Sequence, residues 1–214
     1  MSEPSVPGAQ RRDRLLAMLS DLVARGGAAP LIMPPVAPGA AAFPEPWKPT
    51  KGGVQALLRR LAWHAGGLGE RSVTIVDQRI GAPPTEHKPR SRCELAEVRA
   101  KELVFVLGYI GEDDIVGTLA HEISVAYAAL HRPDEKDPYR SSEQQVIAID
   151  PDRDLERGSL ATVYVGLGVL AANAAFQQYT SRLAVDAYQP HVYEVHRAGY
   201  LDLSELAFAL AVQA

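Results

Sequence analysis

Apolar residues recur every three or four positions in several parts of the chain, which is the spacing that places them on one face of an α-helix. This pattern predicts helices over Arg11–Arg25, Val54–His64 and Ile115–His131. A run that is almost entirely small and apolar predicts a further long helix from Leu155 to Tyr179. The sequence Asp202-Leu-Ser-Glu205 is a capping box, and it predicts that the last helix begins there.

Strand patterns lie between these helices. Runs rich in β-branched residues predict strands at Ser72–Arg79 and Glu102–Ile110. Cys93–Arg99 fits a strand or a short helix, and Val146–Ile149 fits a short strand or an extended piece. The fold class that follows is α+β, with a small sheet packed on two core helices, the central one and the long apolar one.

The segment from Ala28 to Lys51 contains seven prolines, so neither a helix nor a central strand can persist through it. Its apolar residues favour an extended arm that wraps over a surface. We therefore expect an N-terminal helix and a Pro-rich extended arm over residues 1–50, followed by one α+β domain over residues 51–214. Because extended proline segments lose little entropy on docking, the arm is a candidate contact surface.

Length, charge and composition favour a globular protein and argue against nucleic acid or a membrane as its partner. A chain of 214 residues that is 47% hydrophobic is long enough for a globular domain with a sizeable core. Its net charge of −4 and the lack of any Lys/Arg run argue against nucleic acid as a partner. The apolar stretch Leu160–Phe176 is shorter than the roughly 20 residues that cross a bilayer, so we expect no membrane contact. The amino terminus shows no secretory signal pattern and the single Cys93 fits a reducing compartment, which together predict a cytoplasmic protein.

The central predicted helix carries the first part of a zinc-binding pattern. In the pattern H-E-x-x-H, two histidines four residues apart face one ion, and the glutamate activates a metal-bound water. His121 and Glu122 match the first two positions, but Val125 stands where the second histidine belongs. An isopropyl group cannot bind zinc, so the pattern is degenerate.

Three segments of the chain together resemble a group of uncharacterised bacterial zincin-like metallopeptidases. The resemblance covers residues 100–214 and is carried by Gly117–Tyr127, Gly158–Phe176 and Gly199–Phe208. It implies a zincin-like fold, in which His121 corresponds to the first metal ligand and Glu122 to the catalytic base.

The chain departs from that group at the metal site. Val125 replaces the second ligand, and Ser159 stands where the group has an aspartate. The third ligand, a glutamate, would fall near Leu155, which is flanked by Asp154 and Glu156. Two departures that both remove metal-site groups predict a former metal site that has been abandoned.

Three residues could in principle replace the missing ligands. Asp154 and Glu156 flank the third-ligand position, although neither is in the expected register. His131 follows His121 by ten residues, the separation used in an extended zinc signature, but on a continuous helix this is about 15 Å along the axis. We therefore expect no cofactor, and a rebuilt zinc site is the alternative.

The function that follows is a catalytically inactive metallopeptidase-like protein that acts as a protein-binding or regulatory subunit. Its expected partner is another protein, bound in the former substrate groove. One alternative is an active metal-dependent hydrolase or peptidase with a non-standard metal site. The other is a purely structural or assembly partner whose groove has no function.

Overall fold

A computed structural model describes residues 6–66, 68–77, 91–111, 115–132, 146–175, 177–181, 192–196 and 199–214. The helices in these residues are α1 (Ala9–Gly26), α2 (Ala29–Ile32), α3 (Lys51–His64), α4 (Ile115–Leu130), α5 (Pro151–Tyr164), α6 (Gly168–Ala175) and α7 (Leu203–Gln213). The strands are β1 (Ser72–Asp77), β2 (Arg92–Arg99), β3 (Glu102–Tyr109), β4 (Val146–Ile147), β5 (Gln177–Ser181) and β6 (Val192–His196).

Four of these strands form a mixed sheet in the order β1-β3-β2-β4. β1 runs parallel to β3, whereas β2 is antiparallel to both β3 and β4. β5 and β6 form a separate antiparallel pair. The predicted α+β class is confirmed, and the segment that fitted a strand or a short helix is the strand β2. Residues 78 and 79 of the first predicted strand lie outside the described residues.

Helix α4 lies at the centre of the fold. It packs against α3, α5, α6 and β2, and 12 of its 16 residues are buried. Close packing with α6 depends on Gly117, where a Cβ atom would collide with Ala174. Close packing with α5 depends on Gly158, which lies against Val125. Because α4 is covered on so many sides, His121 and Ser124 are buried, whereas Thr118 and Glu122 are partly exposed.

The prediction of one helix from Leu155 to Tyr179 is wrong. The segment contains the end of α5, a buried turn, then α6 and the first residues of β5. Gly166 in the turn has a φ of +80°, a left-handed conformation that strains residues with a Cβ atom. Its carbonyl accepts the N–H of Val36 at 2.7 Å instead of continuing the helix. Among the described residues, no helix has the length and hydropathy needed to cross a membrane.

The N-terminal helix shares the hydrophobic core with the rest of the chain. Arg11 forms ion pairs with Glu156 of α5 and Glu205 of α7. The Pro-rich segment contains the short α2 and is otherwise without regular structure up to α3. Beside these contacts, α1 contributes three buried leucines to the core: Leu15, Leu19 and Leu22.

The start of α7 confirms the predicted capping box. The Asp202 side chain accepts the N–H of Glu205, and the Glu205 side chain accepts the N–H of Asp202. Both interactions satisfy backbone donors that the first turn of a helix leaves without intrahelical partners. Just before α7, the N–H of Tyr200 donates to the Ser159 hydroxyl of α5 at 2.8 Å.

Candidate functional site

The imidazole of His121 lies between α4 and α5, where it contacts a serine. Its Nε2 is 3.0 Å from Ser159 Oγ. The Ser159 hydroxyl donates to the Leu155 carbonyl at 3.0 Å and accepts the N–H of Tyr200 at 2.8 Å. Because a serine hydroxyl has a single hydrogen, Nε2 has to be the donor toward Ser159 Oγ. Nε2 therefore has no lone pair to offer to a metal.

Aliphatic side chains stand at the second histidine position of the zinc pattern, Val125, and near the third-ligand position that the resemblance implies, Leu155. Val125, one turn after His121 on α4, is fully buried and packs against Gly158 of α5. Leu155, one turn before Ser159, lies on the same face of α5 and borders the same cavity as Val125. The contact between α4 and α5 therefore consists of one hydrogen-bonded pair beside aliphatic side chains.

The carboxylate of Glu122 connects α4 to the sheet. Its Oε2 accepts the N–H of Leu95 in β2 at 2.7 Å. Its Oε1 is 3.4 Å from Nδ1 of His121. The side chain is only 15% exposed, so most of it is enclosed by these neighbours.

A cavity of about 520 Å³ lies between β2, α4, the first turns of α5 and the residues before α7. Cavities of this size are typical of sites that enclose a small molecule or a side chain of a partner. Its polar lining consists of Ser91, Arg92, Glu94, Thr118, His121, Glu122 and Tyr200. Its remaining lining consists of Cys93, Leu95, Val125, Ile149, Pro151, Leu155 and Gly199.

The three candidate replacement ligands have other partners. Both carboxylate oxygens of Asp154 bind Arg132, with 3.0 Å between Oδ1 and Nε. Glu156 pairs with two arginines of α1. His131 stacks on Tyr127, with ring centroids 4.1 Å apart. None of the three candidates borders the cavity, so the structure does not bring them to His121.

The residues at the site do not fit the zinc ion that the resemblance implies. A zinc site needs at least three protein ligands around one point. In the described part of the chain, no three His, Cys, Asp or Glu side chains are grouped closely enough to hold a metal ion. The ring nitrogen of His121 nearest α5 is already bound to Ser159, and Val125 and Leu155 offer no lone pairs.

Ser159, His121 and Glu122 are connected in the same order as the serine, histidine and carboxylate of a hydrolase triad. A nucleophilic serine has to meet the substrate carbonyl, but Ser159 is 3% exposed and does not border the cavity. Its oxygen also has three hydrogen-bond partners already. The connection therefore holds the two helices together and does not supply a nucleophile.

Gly199 covers the His121–Ser159 pair, and residue-by-residue reasoning from the sequence missed this role. Its φ is +88°, and a Cβ atom there would lie 3.0 Å from Ser159 Oγ and 3.1 Å from His121 Cδ2. Only glycine allows the backbone to pass this close in this conformation. The signal was present in the sequence, because Gly199 opens the third segment of the resemblance.

Cys93 borders the cavity but is only 2% exposed, and we expect its thiol to react slowly. Burial, with smaller effects of the Glu122 and Glu94 carboxylates, raises the pKa of Cys93 to about 12 from an ordinary value of 9.0. At pH 8 this lowers the thiolate fraction about 1000-fold. We expect iodoacetamide to alkylate native Cys93 at least that much more slowly than the urea-unfolded chain, measured by mass spectrometry.

A variant of Glu122 separates the effect of charge on the pKa of Cys93 from the effect of burial. Glu122→Gln removes one of the negative charges that raise the pKa of Cys93, so alkylation of the native protein should become faster. Glu45→Gln, at a side chain that is 65% exposed and remote from the thiol, serves as the matched control. Equal rates in both variants and the wild type would contradict the assigned influence of Glu122.

The chain matches no protein-family model, no curated protein and no solved structure. The class that the fold and the site define is therefore a general one. The chain is an α+β protein with a His-Glu pair on its central helix, beside a cavity at the edge of a small sheet.

Proposed function

We propose that the chain is a metallopeptidase-like protein that no longer cleaves and that binds a partner protein in its cavity. The observation that carries the proposal is the hydrogen bond between His121 and Ser159. This hydrogen bond joins His121, the one histidine of the zinc pattern, to Ser159. Ser159 stands where the resembled metallopeptidases have an aspartate. Val125 and Leu155 occupy the positions of the other two ligands, and both border the same cavity. We expect all the metal-site groups to be replaced together when a protein no longer binds the metal, because the remaining ligands then have no function.

The position of the cavity supports a binding role. It borders β2 from Ser91 to Leu95, whereas β4 pairs only with Val98 and Arg99 farther along the same strand. Within the described residues, no strand lies beside the first half of β2 on the side away from β3. An open strand edge can add an extended segment of another chain through main-chain hydrogen bonds. The proposed ligand is therefore an extended polypeptide.

Metal content tests the proposal directly. Untagged full-length protein is equilibrated with zinc, dialysed and analysed for metal beside the His121→Ala variant. We expect both proteins to hold far less than one zinc per chain, because His121 and Glu122 alone cannot form a zinc site. Near-stoichiometric zinc that is lost in His121→Ala would instead support the active metal-dependent hydrolase.

A second test introduces metal ligands at positions 125 and 155 and asks whether the protein then binds zinc. In the double variant Val125→His/Leu155→Glu we expect about one zinc per chain, because zinc would then have three protein ligands once the ring hydrogen of His121 moves from Nε2 to Nδ1, beside Glu122. Val125→His/Leu155→Gln is the matched control, since glutamine has the size of glutamate without its charge. A folded double variant that binds no zinc would contradict the zincin-like geometry and would leave the binding role to be judged separately.

A further inference from the structure

We propose that the cavity binds an extended segment of the partner through one aliphatic side chain and one basic side chain two residues away. The aliphatic side chain lies against Leu155 and above the buried Val125, in the space that metal ligands would otherwise surround. This inference rests on the proposed function and adds to it the chemistry of the partner.

The strand edge supplies the main-chain part of the site. The N–H of Leu95 points away from β3, because it donates to Glu122. Backbone groups alternate in direction along a strand, and the pairing with β3 is regular from Cys93 to Leu95. The N–H and C=O of Cys93 therefore face the same open edge, where an extended segment can bind them.

The cavity floor supplies the aliphatic part. Val125 is fully buried and Leu95 is 8% exposed, and Ile149 and Leu155 are partly buried against the same core. These four side chains border one cavity at the open strand edge. A leucine, isoleucine or valine of the partner would exchange water for aliphatic contacts there, an effect of about 10- to 100-fold in affinity.

The charges of the lining favour a basic neighbour. Arg92 and Glu94 neutralise each other, with 2.8 Å between Nε and Oε1. Glu122 borders the same cavity, and among the described residues no lysine or arginine forms an ion pair with its carboxylate. The nearest ring nitrogen of His121, Nδ1, is 3.4 Å from Glu122 Oε1, a longer distance than that of a charge-assisted hydrogen bond. A lysine or arginine of the partner can supply the missing positive charge.

The spacing of the two partner residues follows from helix and strand geometry. Glu122 and Val125 are three residues apart on α4, which places their Cβ atoms about 5–6 Å apart. Side chains two residues apart in a strand point to the same side and are separated by about 6.6–6.8 Å. An aliphatic residue and a basic residue at positions i and i±2 of the partner therefore match the two sites.

Selection from a phage library of random dodecapeptides on immobilised full-length protein tests this inference. Enriched sequences are synthesised as acetylated, amidated, fluorescein-labelled peptides, and their Kd is measured by fluorescence anisotropy. We expect these peptides to share an aliphatic residue two positions from lysine or arginine. Leu155→Gln should weaken their binding about 10-fold or more, and Glu122→Gln should weaken it and reduce its dependence on salt.

Two further variants keep the test interpretable. Ile32→Gln makes the same kind of change at a side chain that is 77% exposed and does not border the cavity, and it should leave Kd within about twofold. Val125→Thr is nearly isosteric, so it provides a second polar change in the floor if circular dichroism shows that Leu155→Gln is misfolded. It should also weaken binding.

Each contrary outcome has a separate meaning. Peptides that bind the wild type and all cavity variants within about twofold would overturn the aliphatic site but leave a non-catalytic binding protein in place. A selection that enriches no peptide would overturn the inference and the extended-polypeptide ligand together. Stoichiometric zinc in the wild type would instead overturn the proposed function itself.

Discussion

We expect Asp154→Asn to lower the free energy of unfolding by about 3 kcal/mol. Asp154 is completely buried, and its carboxylate binds Arg132, which is 8% exposed. The same carboxylate accepts the N–H of Asp150 at 2.8 Å, at the start of α5. The substitution removes the negative charge that Asp154 holds against this buried guanidinium, which costs far more than loss of a surface ion pair. Urea denaturation followed by circular dichroism measures the change.

Asp152→Asn is the matched control for this prediction. Asp152 lies in the same first turn of α5 but is exposed, so its charge acts mainly on the helix dipole. We expect a loss of less than about 1 kcal/mol. Similar losses in both variants would show that the buried pair with Arg132 is not what stabilises the start of α5. A larger loss in Asp154→Asn than in Asp152→Asn would show that Asp154 stabilises the folded protein through its buried contacts.

Gly158→Ala should lower the free energy of unfolding by about 2 to 3 kcal/mol. A Cβ atom at this position would lie 2.5 Å from Val125 Cγ2 and 2.8 Å from Val125 Cα. The second of these atoms belongs to the backbone of α4, so the helices have to move apart. Ser159, the next residue, would then lose its position beside His121. Thermal and urea unfolding measure the loss of stability.

The double variant Gly158→Ala/Val125→Ala identifies the contact responsible. Because the two residues touch, their effects should not add, and we expect a coupling free energy of about 1 kcal/mol. Gly52→Ala, in the first turn of α3, is the control, because its nearest neighbour would be 4.0 Å away at Thr50 Oγ1. That variant should be neutral or slightly more stable, since alanine favours a helix. If the two losses of stability simply add in the double variant, the strain of Gly158→Ala does not come from its contact with Val125.

Together these predictions describe a contact between α4 and α5 that packing and hydrogen bonds maintain. His121 is hydrogen-bonded to Ser159, Val125 fills the space beside Gly158, and Asp154 fixes the start of α5. In an active zincin-like site, metal ligands would occupy part of this contact. The proposed loss of zinc therefore does not require an unstable protein, because aliphatic side chains need no partners when they are buried.

Local sequence patterns were sufficient for most helices and for the main strands. The spacing of apolar residues placed the central helix at Ile115–His131, and the structure has it at Ile115–Leu130. The capping box at Asp202 was readable because both partners lie within four residues of each other. These features depend on neighbours along the chain, so the sequence contains all the information they need. The break at Gly166 was not readable, because the turn is as buried and apolar as the helices around it.

The candidate site was predictable only in part. The sequence by itself determined that His121 and Glu122 begin a zinc pattern that Val125 interrupts. Only the tertiary structure decided that Ser159 binds His121 and that Leu95 binds Glu122. These contacts join residues that are 38 and 27 positions apart, and they form because α4 packs on α5 and β2 at the same time. Periodicity reports which face of an element is buried, but the packing of three elements decides which side chains meet there.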